Sequence, residues 1–199
     1  MLTSSEACER NKGPILAVLR GELAASRAVL EIGSGTGQHA VYFSAHLPHL
    51  QWQPTEVAAH LPELAARIRL EGGPNLRAPL PLDVGTRPWM VPVVDAVFSA
   101  NTLHIMSWER VRDLFRGVGA LLSTPGVLCV YGPFRYQGSY TSDSNAEFDR
   151  FLKGRDPLSG IRDLEALEAL AQAEGLALAA DHDMPANNRT LVWRRAAPR

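Results

Sequence analysis

The stretch Val29-Leu-Glu-Ile-Gly-Ser-Gly-Thr-Gly-Gln-His39 decides the fold class of this chain. In it, a short apolar run of β type ends in three glycines, and a helical pattern follows. Glycine has no Cβ, so Gly33, Gly35 and Gly37 let the backbone turn sharply and approach a ligand closely. The dinucleotide pattern G-x-G-x-x-G requires a glycine where Gln38 stands, and the P-loop pattern is absent. The stretch therefore predicts a strand, a tight ligand-binding loop and a helix.

Outward from this loop, apolar runs alternate with segments of helical periodicity. We predict helices over residues 9–21, 38–47, 58–70, 107–122, 143–152 and 159–174. We predict strands over residues 28–32, 52–56, 76–82, 93–99, 127–131, 176–181 and 189–194, the third being weakened by two prolines. This alternation is typical of an α/β, Rossmann-like fold: a seven-stranded, mostly parallel sheet with helices on both faces. The last two strands predict an antiparallel hairpin at the sheet edge.

Length and composition limit the possible classes of protein. The chain has 199 residues, 46% hydrophobic and 21% charged, with a net charge of −1. We expect a single domain over residues 1–199, with residues 1–27 forming an N-terminal helical cap. The chain has no excess of basic residues that would indicate a nucleic-acid partner. It also has no apolar run of about 18 residues that would indicate a membrane span. The start of the chain does not resemble a signal peptide, so we expect a cytoplasmic protein.

Cysteine and histidine usage predicts neither disulfides nor a metal site. Cys8 and Cys129 form no C-x-x-C pair, and the six histidines are scattered along the chain. These patterns favour a reducing compartment and no bound metal. The sequence does not indicate an oligomeric state.

The glycine loop resembles the first motif of class I S-adenosylmethionine-dependent methyltransferases, with Glu31 at its acidic position. The resemblance implies that S-adenosylmethionine is the cofactor. It also implies that the loop residues Gly33, Ser34, Gly35 and Gly37 contact the methionine part of that cofactor. In this family the acidic residue commonly acts on the cofactor amino group, directly or through water, which is the role implied for Glu31.

Two further carboxylates follow the predicted second and third strands. Glu56 ends the second strand, where a carboxylate can accept hydrogen bonds from both ribose hydroxyls of a bound nucleoside. Asp83 follows the third strand and matches the family position that usually binds the adenine amino group. Either residue alone is more simply interpreted as a solvated loop carboxylate. The ordered set of loop, Glu56 and Asp83 is what indicates a cofactor site.

The stretch after the fourth strand resembles the corresponding motif of small-molecule methyltransferases. Asn101 and His104 match positions that line the cofactor and acceptor pockets in that family. His104 is our first candidate for a general base, since the ordinary pKa of histidine is near 6.5, and Tyr136 is the second. The alternative for His104 is a histidine that only makes local hydrogen bonds. The segment 132–145, with Tyr136, predicts an acceptor pocket or lid, or a surface loop with buried aromatic anchors.

A narrower resemblance covers nearly the whole chain. It is carried by the segments Glu9-Arg-Asn-Lys-Gly-Pro-Ile15, Tyr131-Gly-Pro-Phe134, Ser144-Asn145, Phe148-Asp149, Gly160-Ile-Arg-Asp163 and Met184-Pro-Ala-Asn-Asn188. These resemble the DUF938 family, which includes the proteins called methyltransferase-like 26, and whose methyl acceptor is not established. In related enzymes a segment before the first strand covers the cofactor. That arrangement would bring Asn11 to the cofactor and Lys12 to an acidic acceptor, the alternative being a charged helix start.

The resemblance implies a methyltransferase that transfers a methyl group from S-adenosylmethionine to a small-molecule acceptor. Two other functions remain open at this point. One is a protein that binds S-adenosylmethionine or serves as a scaffold without transferring the methyl group. The other is a nicotinamide-dependent reductase on a similar sheet, against which Gln38 counts because the dinucleotide pattern needs glycine there.

Overall fold

The computed structural model describes residues 2–195. Its helices are α1 (Glu6–Glu22), α2 (Gln38–His46), α3 (Leu61–Glu71), α4 (Trp108–Leu121), α5 (Asp143–Arg155) and α6 (Leu164–Ala173). Its strands are β1 (Ala28–Ile32), β2 (Gln51–Glu56), β3 (Leu80–Pro81), β4 (Val94–Ala100), β5 (Leu122–Gly132), β6 (Phe134–Tyr136), β7 (Ser139–Tyr140), β8 (Arg162–Asp163), β9 (Ala177–Met184) and β10 (Asn188–Arg195). Within residues 2–195, none of these helices has the length and apolar composition of a membrane span.

Seven strands form one sheet in the order β3-β2-β1-β4-β5-β10-β9. Strands β1 to β5 pair in parallel, whereas β10 is antiparallel to both β5 and β9. The predicted Rossmann-like α/β sheet and its antiparallel edge hairpin are therefore confirmed. The strand order reverses between β1 and β4, and in open sheets of this kind ligands bind beyond the carboxyl ends of the strands at that reversal.

Each face of the sheet has its own apolar core, because the parallel strands are buried on both sides. The first core joins α1 and α2 to the sheet and includes Ile15, Leu19, Phe43, Trp52 and Phe98. The second joins α4 and α6 to the opposite face and includes Leu114, Phe115, Val118, Leu167 and Trp193. These two layers fix the strand ends relative to one another, and so position the loops that follow the strands.

Serine caps explain where two helices begin. The Ser107 side chain accepts a hydrogen bond from the Arg110 backbone N at 3.3 Å, at the start of α4. The Ser142 side chain does the same for Asn145 N at 3.2 Å, at the start of α5. Each serine satisfies a backbone donor that has no partner within the helix.

Two strands differ most in length from those predicted. The strand predicted over 76–82 is reduced to Leu80–Pro81 plus an isolated bridge between Leu76 and Trp52, because proline cannot donate a ladder hydrogen bond. The strand predicted over 127–131 begins earlier, at Leu122. The added residues pair with neighbouring strands that are distant in the sequence: Leu122 pairs with β4 and Gly126 with β10.

The prediction of a helix over 159–174 is wrong in its first turn. Helix α6 begins only at Leu164, and residues 159–163 are extended. Gly160 has φ +151, which is incompatible with a helix, and β8 pairs in parallel with β6. Together β7, β6 and β8 form a small second sheet within the segments predicted as a loop over 132–140 and as this helical turn. Residues 159–163 are not helical because they make hydrogen bonds with the turn that carries His104.

Candidate functional site

A cavity of about 680 Å³ lies beyond the carboxyl ends of β1, β2 and β4. We call it the main cavity. It is lined by Ser5, Ala7, Cys8, Gly33, Ser34, Gly35, Thr36, His39, Glu56, Val57, His60, Ala100, Asn101, Thr102, His104, Ile105, Met106 and Phe148. Its volume lies within the roughly 300–1,000 Å³ of small-molecule sites. The sheet thus brings the glycine loop, the end of β2 and the turn after β4 to one space, as the topology predicts.

Two of the three loop glycines lie too close to neighbouring side chains to be replaced by a larger residue. Gly33 has φ +72, and a Cβ built on it would lie 2.6 Å from the Cγ2 of Thr102. Gly37 has φ +80, and its Cβ would lie 2.8 Å from a methyl carbon of Leu64. Gly35 has φ +54 with open space around it. The first and third glycines therefore serve close contact within the protein, and Gly35 leaves its main chain open to the cavity.

Ser34 fixes the loop to the neighbouring strand. Its backbone N donates to the Thr55 carbonyl at 2.9 Å, and its hydroxyl accepts from Thr55 N at 3.2 Å. The Thr55 hydroxyl donates in turn to the Glu31 carbonyl at 2.6 Å. Because these bonds hold the loop on both sides of the serine, its position depends little on a ligand.

Glu56 lies at the wall of the main cavity, directly beside this loop. One carboxylate oxygen accepts from Gly35 N and the other from Val57 N, both at 2.8 Å. A carboxylate has about four lone-pair sites, so each oxygen keeps one for a further donor. The fixed Glu56 carboxylate can therefore accept hydrogen bonds from two neighbouring hydroxyls of a ligand.

Glu31 lies behind the loop and does not line the main cavity. It is 2% exposed, and one carboxyl oxygen accepts from the indole N–H of Trp52 at 2.9 Å. Burial raises the pKa of Glu31 to about 7, although the hydrogen bonds from Trp52 and Ser34 oppose the shift. The cofactor contact predicted for Glu31 stays a prediction.

The raised pKa of Glu31 predicts a pH-dependent stability. The folded protein retains a proton on Glu31 up to about pH 7, whereas the unfolded chain loses it near 4.5. Stability should therefore fall as pH rises from about 4.5 to 7. We expect Glu31→Gln to be more stable than the wild type by roughly 2 kcal/mol at pH 8, and about equal to it at pH 5. Urea unfolding at both pH values measures this difference.

The exposed Glu63 of α3 provides a matched control for this experiment. Glu63→Gln should leave the free energy of unfolding unchanged at both pH values. A Glu31→Gln variant that is less stable than the wild type at pH 8 would show that the carboxylate form is the stabilising one, and would contradict the prediction.

His104 lines the main cavity and packs against Phe148 in a T-shaped arrangement, with 5.3 Å between ring centroids. Burial, assisted by the positive charge of Arg162, lowers the pKa of His104 to about 4. Its imidazole is therefore neutral at pH 7, with one nitrogen able to accept a proton. The arrangement satisfies the first requirement for a general base.

The turn that carries His104 is held by a single segment, residues 158–162. Gly160 N donates to the His104 carbonyl at 2.8 Å, and the Ser159 hydroxyl donates to the Ile105 carbonyl at 3.1 Å. The Arg162 guanidinium donates to the carbonyls of Leu103, Met106 and Leu158. Four consecutive carbonyls of the turn, residues 103–106, thus have partners in one segment. We call this arrangement the carbonyl clamp, and it explains why residues 159–163 are not helical.

Asp149 of α5 holds the carbonyl clamp in place through Ile161. Its buried carboxylate accepts from Ile161 N, from the Tyr140 hydroxyl and from Lys153 Nζ, each at 2.6 Å. Of these donors, Ile161 belongs to the carbonyl clamp and Tyr140 belongs to β7. The pKa of Asp149 is held below its ordinary range by these partners against the effect of burial. The clamp is therefore anchored to α5 and to the small sheet.

A second buried histidine, His39, lines the main cavity near the start of α2. Its Nε2 lies 2.7 Å from Oδ1 of Asn11, and burial lowers its pKa to about 4. A neutral imidazole carrying its proton on Nε2 donates to this oxygen. The predicted residue Asn11 is itself buried beside the Tyr131 hydroxyl. It lines an adjoining smaller pocket rather than the main cavity.

Three other predicted residues lie away from the main cavity. Asp83 accepts from Gly85 N at 2.9 Å and lies 3.8 Å from Arg110. The Tyr136 hydroxyl donates to Asp181 at 2.8 Å, and burial with the nearby Asp181 carboxylate raises its pKa, so it is a poor base. Lys12 pairs with Glu9 and covers the Tyr42 ring at 5.0 Å. Asp83 and Tyr136 are therefore not brought together with the glycine loop.

The N-terminal segment closes one side of the main cavity. Ser5 N donates to the side-chain oxygen of Gln38 at 2.6 Å, and the Gln38 amide donates to Glu9 at 2.7 Å. Arg67 reaches across to donate to the Thr3 carbonyl at 2.7 Å and to the Thr36 carbonyl at 2.6 Å. Gln38, which stands where a dinucleotide site has glycine, thus joins the N-terminal segment to the loop.

Sequence reasoning did not identify several residues of this cavity. They are Ser5, Cys8, His39, Val57, His60, Thr102 and Phe148. Four of them lie within or beside segments already singled out in the sequence, namely His39, Val57, Thr102 and Phe148. His60 lies in the turn before α3, and Ser5 and Cys8 reach the cavity because α1 packs beside α2, which no local pattern encodes. Within residues 2–195, no group of three or more histidine, cysteine or acidic side chains is arranged to hold a metal ion.

Comparison with known families and structures gives two findings. The family model described as "Protein of unknown function (DUF938)" matches residues 2–195. Among solved structures, the chain is similar to an O-methyltransferase family protein from Burkholderia thailandensis, with 16% identity and a TM-score of 0.83 over 98% of this chain. It is also similar to the mitomycin 7-O-methyltransferase, with 18% identity and a TM-score of 0.81 over 96% of this chain. A third similar structure is the S-adenosylmethionine-dependent methyltransferase SibL, with 19% identity and a TM-score of 0.80 over 96% of this chain.

At this level of identity the solved structures show a shared fold. The chain spans 59%, 54% and 56% of the length of those three proteins, respectively, a little over half of each. The fold, with its strand order and its edge hairpin, is that of the methyltransferase neighbours. What each neighbour acts on is a property of that neighbour.

Proposed function

The chain belongs to the DUF938 family, and from that premise and its site we propose that it is an S-adenosylmethionine-dependent methyltransferase acting on a small molecule. The observation that carries this proposal is the Glu56 carboxylate. It lies at the wall of the main cavity, beside an open glycine loop, with one acceptor site left on each oxygen. A ribose offers two neighbouring hydroxyls that match this pair of acceptors.

The residues of the main cavity fit an adenosyl sulfonium group. Glu56 would hold the ribose, and the open backbone at Gly35 would lie against the methionine part. Among the lining residues that the structure describes, Glu56 is the only acidic or basic one apart from histidines, so the cavity favours a positively charged ligand. The buried Glu31 adds a second negative charge when it is ionised. Gly33, Ser34 and Gly37 would act by fixing the loop.

Bound S-adenosylmethionine would supply an electrophilic methyl group. The chain itself contributes orientation, since the loop, the end of β2 and the turn after β4 are each fixed by internal hydrogen bonds. Holding two reactants in a productive geometry can supply several kcal/mol of a barrier, of the order of 7–11 in well-oriented cases. Residues of the N-terminal segment and Phe148 line the same space.

His104 is the residue we assign to proton transfer from the acceptor. Neutral at pH 7, it can accept the proton of a hydroxyl as the new bond to carbon forms. Its low pKa makes it a weak base that releases the proton readily afterwards. Asn101, at the end of β4 with φ +58, would orient donor or acceptor by its amide. An amine or thiol acceptor would need less help from His104.

The test of this proposal is binding of S-adenosylmethionine and of its product S-adenosylhomocysteine, measured by titration calorimetry. We expect saturable binding of both at one site per chain, with competition between them. At a ligand concentration of about 100 Kd, binding stabilises the folded state by about 2.7 kcal/mol, so the unfolding temperature should rise by roughly 5–10 °C.

The outcomes separate the alternatives raised by the sequence. Absence of heat and of a thermal shift at millimolar concentrations of both ligands would refute the proposed function. Binding of NAD in their place would restore the reductase alternative. Binding of S-adenosylmethionine without transfer to any compound of a metabolite mixture would favour a binding protein that lacks transferase activity.

A further inference from the structure

A second, smaller cavity adjoins the main cavity, and we call it the amide pocket. It has a volume of about 210 Å³ and is lined by Ala7, Arg10, Asn11, Asn101, Tyr131, Pro185, Ala186 and Asn188. Ala7 and Asn101 also line the main cavity, so the two spaces share a wall. Sites for whole small molecules occupy about 300 Å³ or more. The amide pocket therefore suits one end of a ligand whose remainder lies in the main cavity.

The polar side chains that line the amide pocket are those of Arg10, Asn11, Asn101, Tyr131 and Asn188. The amide N of Asn188 already donates to the Pro185 and Ala186 carbonyls at 3.3 and 3.2 Å, and the Arg10 guanidinium lies 3.3 Å from the exposed Glu6 carboxylate. The donors for a ligand are therefore those of Arg10, Asn11, Asn101 and Tyr131, and among residues 2–195 no aspartate or glutamate lines the pocket. A guanidinium has donors and no acceptor, and its planar pair of N–H groups matches a carboxylate. The lining thus complements a small anion of carboxylate shape.

Internal contacts orient one of these amides as a donor. The oxygen of Asn11 is engaged by Nε2 of His39 at 2.7 Å. Asn11 is 9% exposed and borders the Tyr131 hydroxyl, whose pKa it lowers as a donor against the effect of burial. Its NH₂ group is therefore the end that remains for the pocket. The hydroxyl of Tyr131, in turn, keeps its proton, since burial raises its pKa overall.

Positive-φ backbone lies in the shared wall at Asn101 and in the β9–β10 turn beside the pocket. Asn101 has φ +58, a left-handed conformation that costs a non-glycine residue of the order of 1 kcal/mol, and its N donates to the Tyr131 carbonyl at 2.9 Å. Ala186 and Asn187 in the turn between β9 and β10 also have positive φ, +59 and +56. The Asn145 amide donates to the Asn187 carbonyl at 3.0 Å and so ties this turn to α5. Strain held by several partners is a feature of binding sites.

We propose that the amide pocket is a carboxylate-binding subsite of the methyltransferase site, with Arg10 as its charged anchor; this rests on the proposed function. Three segments that carried the family resemblance, residues 9–15, 131–134 and 184–188, meet at this pocket, which the cofactor site alone does not require. The carboxylate belongs either to the methionine part of the methyl donor or to the acceptor. The two sources share their chemistry and are separated by experiment.

The first arm tests the donor as the source. S-adenosylhomocysteine and 5′-methylthioadenosine, which lacks the amino acid end, are titrated into the wild type, Arg10→Gln, Arg10→Lys and Arg20→Gln. If the donor is the source, Arg10→Gln weakens binding of S-adenosylhomocysteine about five- to tenfold and leaves 5′-methylthioadenosine within twofold. Arg10→Lys keeps the charge but not the planar pair of donors, so its affinity should lie between those of the wild type and Arg10→Gln. Arg20, near the far end of the same helix, is the matched control and should have no effect.

The second arm tests the acceptor as the source. Protein saturated with S-adenosylhomocysteine is titrated with acetate, and with acetamide as the neutral control, while the side-chain amide signals of Asn11, Asn101 and Asn188 are followed by NMR. If the acceptor is the source, acetate shifts these signals, acetamide does not, and Arg10→Gln weakens the acetate effect at least fivefold. The Arg10 side chain is 71% exposed, so its substitution does not threaten the fold.

The results distinguish this inference from the proposed function. If neither S-adenosylhomocysteine nor 5′-methylthioadenosine binds the wild type, the proposed function fails, and acetate titration of the ligand-free protein still reports on the amide pocket. If both nucleosides bind, yet neither arm depends on Arg10, the carboxylate subsite is overturned and the methyltransferase site remains.

Discussion

Replacing Glu56 with alanine is expected to weaken binding of S-adenosylhomocysteine at least about a hundredfold. The carboxylate keeps one free acceptor site on each oxygen, and each charge-assisted bond to a ribose hydroxyl is worth about 1.5–3 kcal/mol. Losing both amounts to 3 kcal/mol or more, and each 1.4 kcal/mol is a factor of ten in affinity. Titration calorimetry with S-adenosylhomocysteine measures the loss directly.

Two further variants make the Glu56 result specific. Glu56→Gln keeps the shape of the side chain and removes its charge, so it should lie between the wild type and Glu56→Ala. Glu63→Ala removes an exposed carboxylate from the first turn of α3 and should leave the affinity unchanged. An affinity of Glu56→Ala within threefold of the wild type would remove Glu56 from the site and with it the main support for the proposed cofactor.

Replacing Arg162 with glutamine is expected to lower the free energy of unfolding by about 3 kcal/mol. Its guanidinium donates to three carbonyls, two of them in the turn that carries His104, and a buried acceptor left without a partner costs about 1–3 kcal/mol. For a chain of this size we expect the unfolding temperature to fall by roughly 6–12 °C. Calorimetry or urea unfolding measures this change.

The same substitution should also change the titration of His104. The Arg162 charge contributes to the low pKa of His104, so its removal should move that pKa upward from about 4. NMR of the imidazole signals measures the shift. Arg162→Lys keeps the charge but not the fork of donors, so it should retain the low pKa and recover only part of the stability. Arg112→Gln, on the exposed side of α4, is the control. An Arg162→Gln variant with wild-type stability and an unmoved His104 pKa would show that the carbonyl clamp does not position this turn.

The sequence was sufficient for the sheet and for one half of the site. Local patterns predicted the strand, loop and helix around Gly33–Gly37, and helical periodicity predicted α4 and α5 at their observed starts within one residue. Glu56 was found because a parallel sheet places the end of the second strand beside the first loop. Signals of this kind depend on residues near one another in the chain, or on a topology that fixes strand ends.

The remainder of the site depends on contacts between distant segments. Residues 159–163 have helical periodicity, yet in the structure their donors bind the carbonyls of residues 103–106, more than 50 positions away. His39 lies 2.7 Å from Asn11 on α1, 28 positions before it in the chain. No spacing along the chain encodes these two arrangements. The adenine contact implied for Asp83 stays a prediction; in the structure its carboxylate accepts from Gly85 N and lies 3.8 Å from Arg110.

The charge of the main cavity bears on the exchange of spent donor for fresh donor. In the part of the chain that the structure describes, its lining holds one carboxylate, that of Glu56, and two buried histidines that are neutral at pH 7. On the proposed function, such a wall attracts a sulfonium cation more strongly than the uncharged thioether that remains after transfer. The protein would thereby favour new substrate over its own product, which limits product inhibition without any movement of the fold.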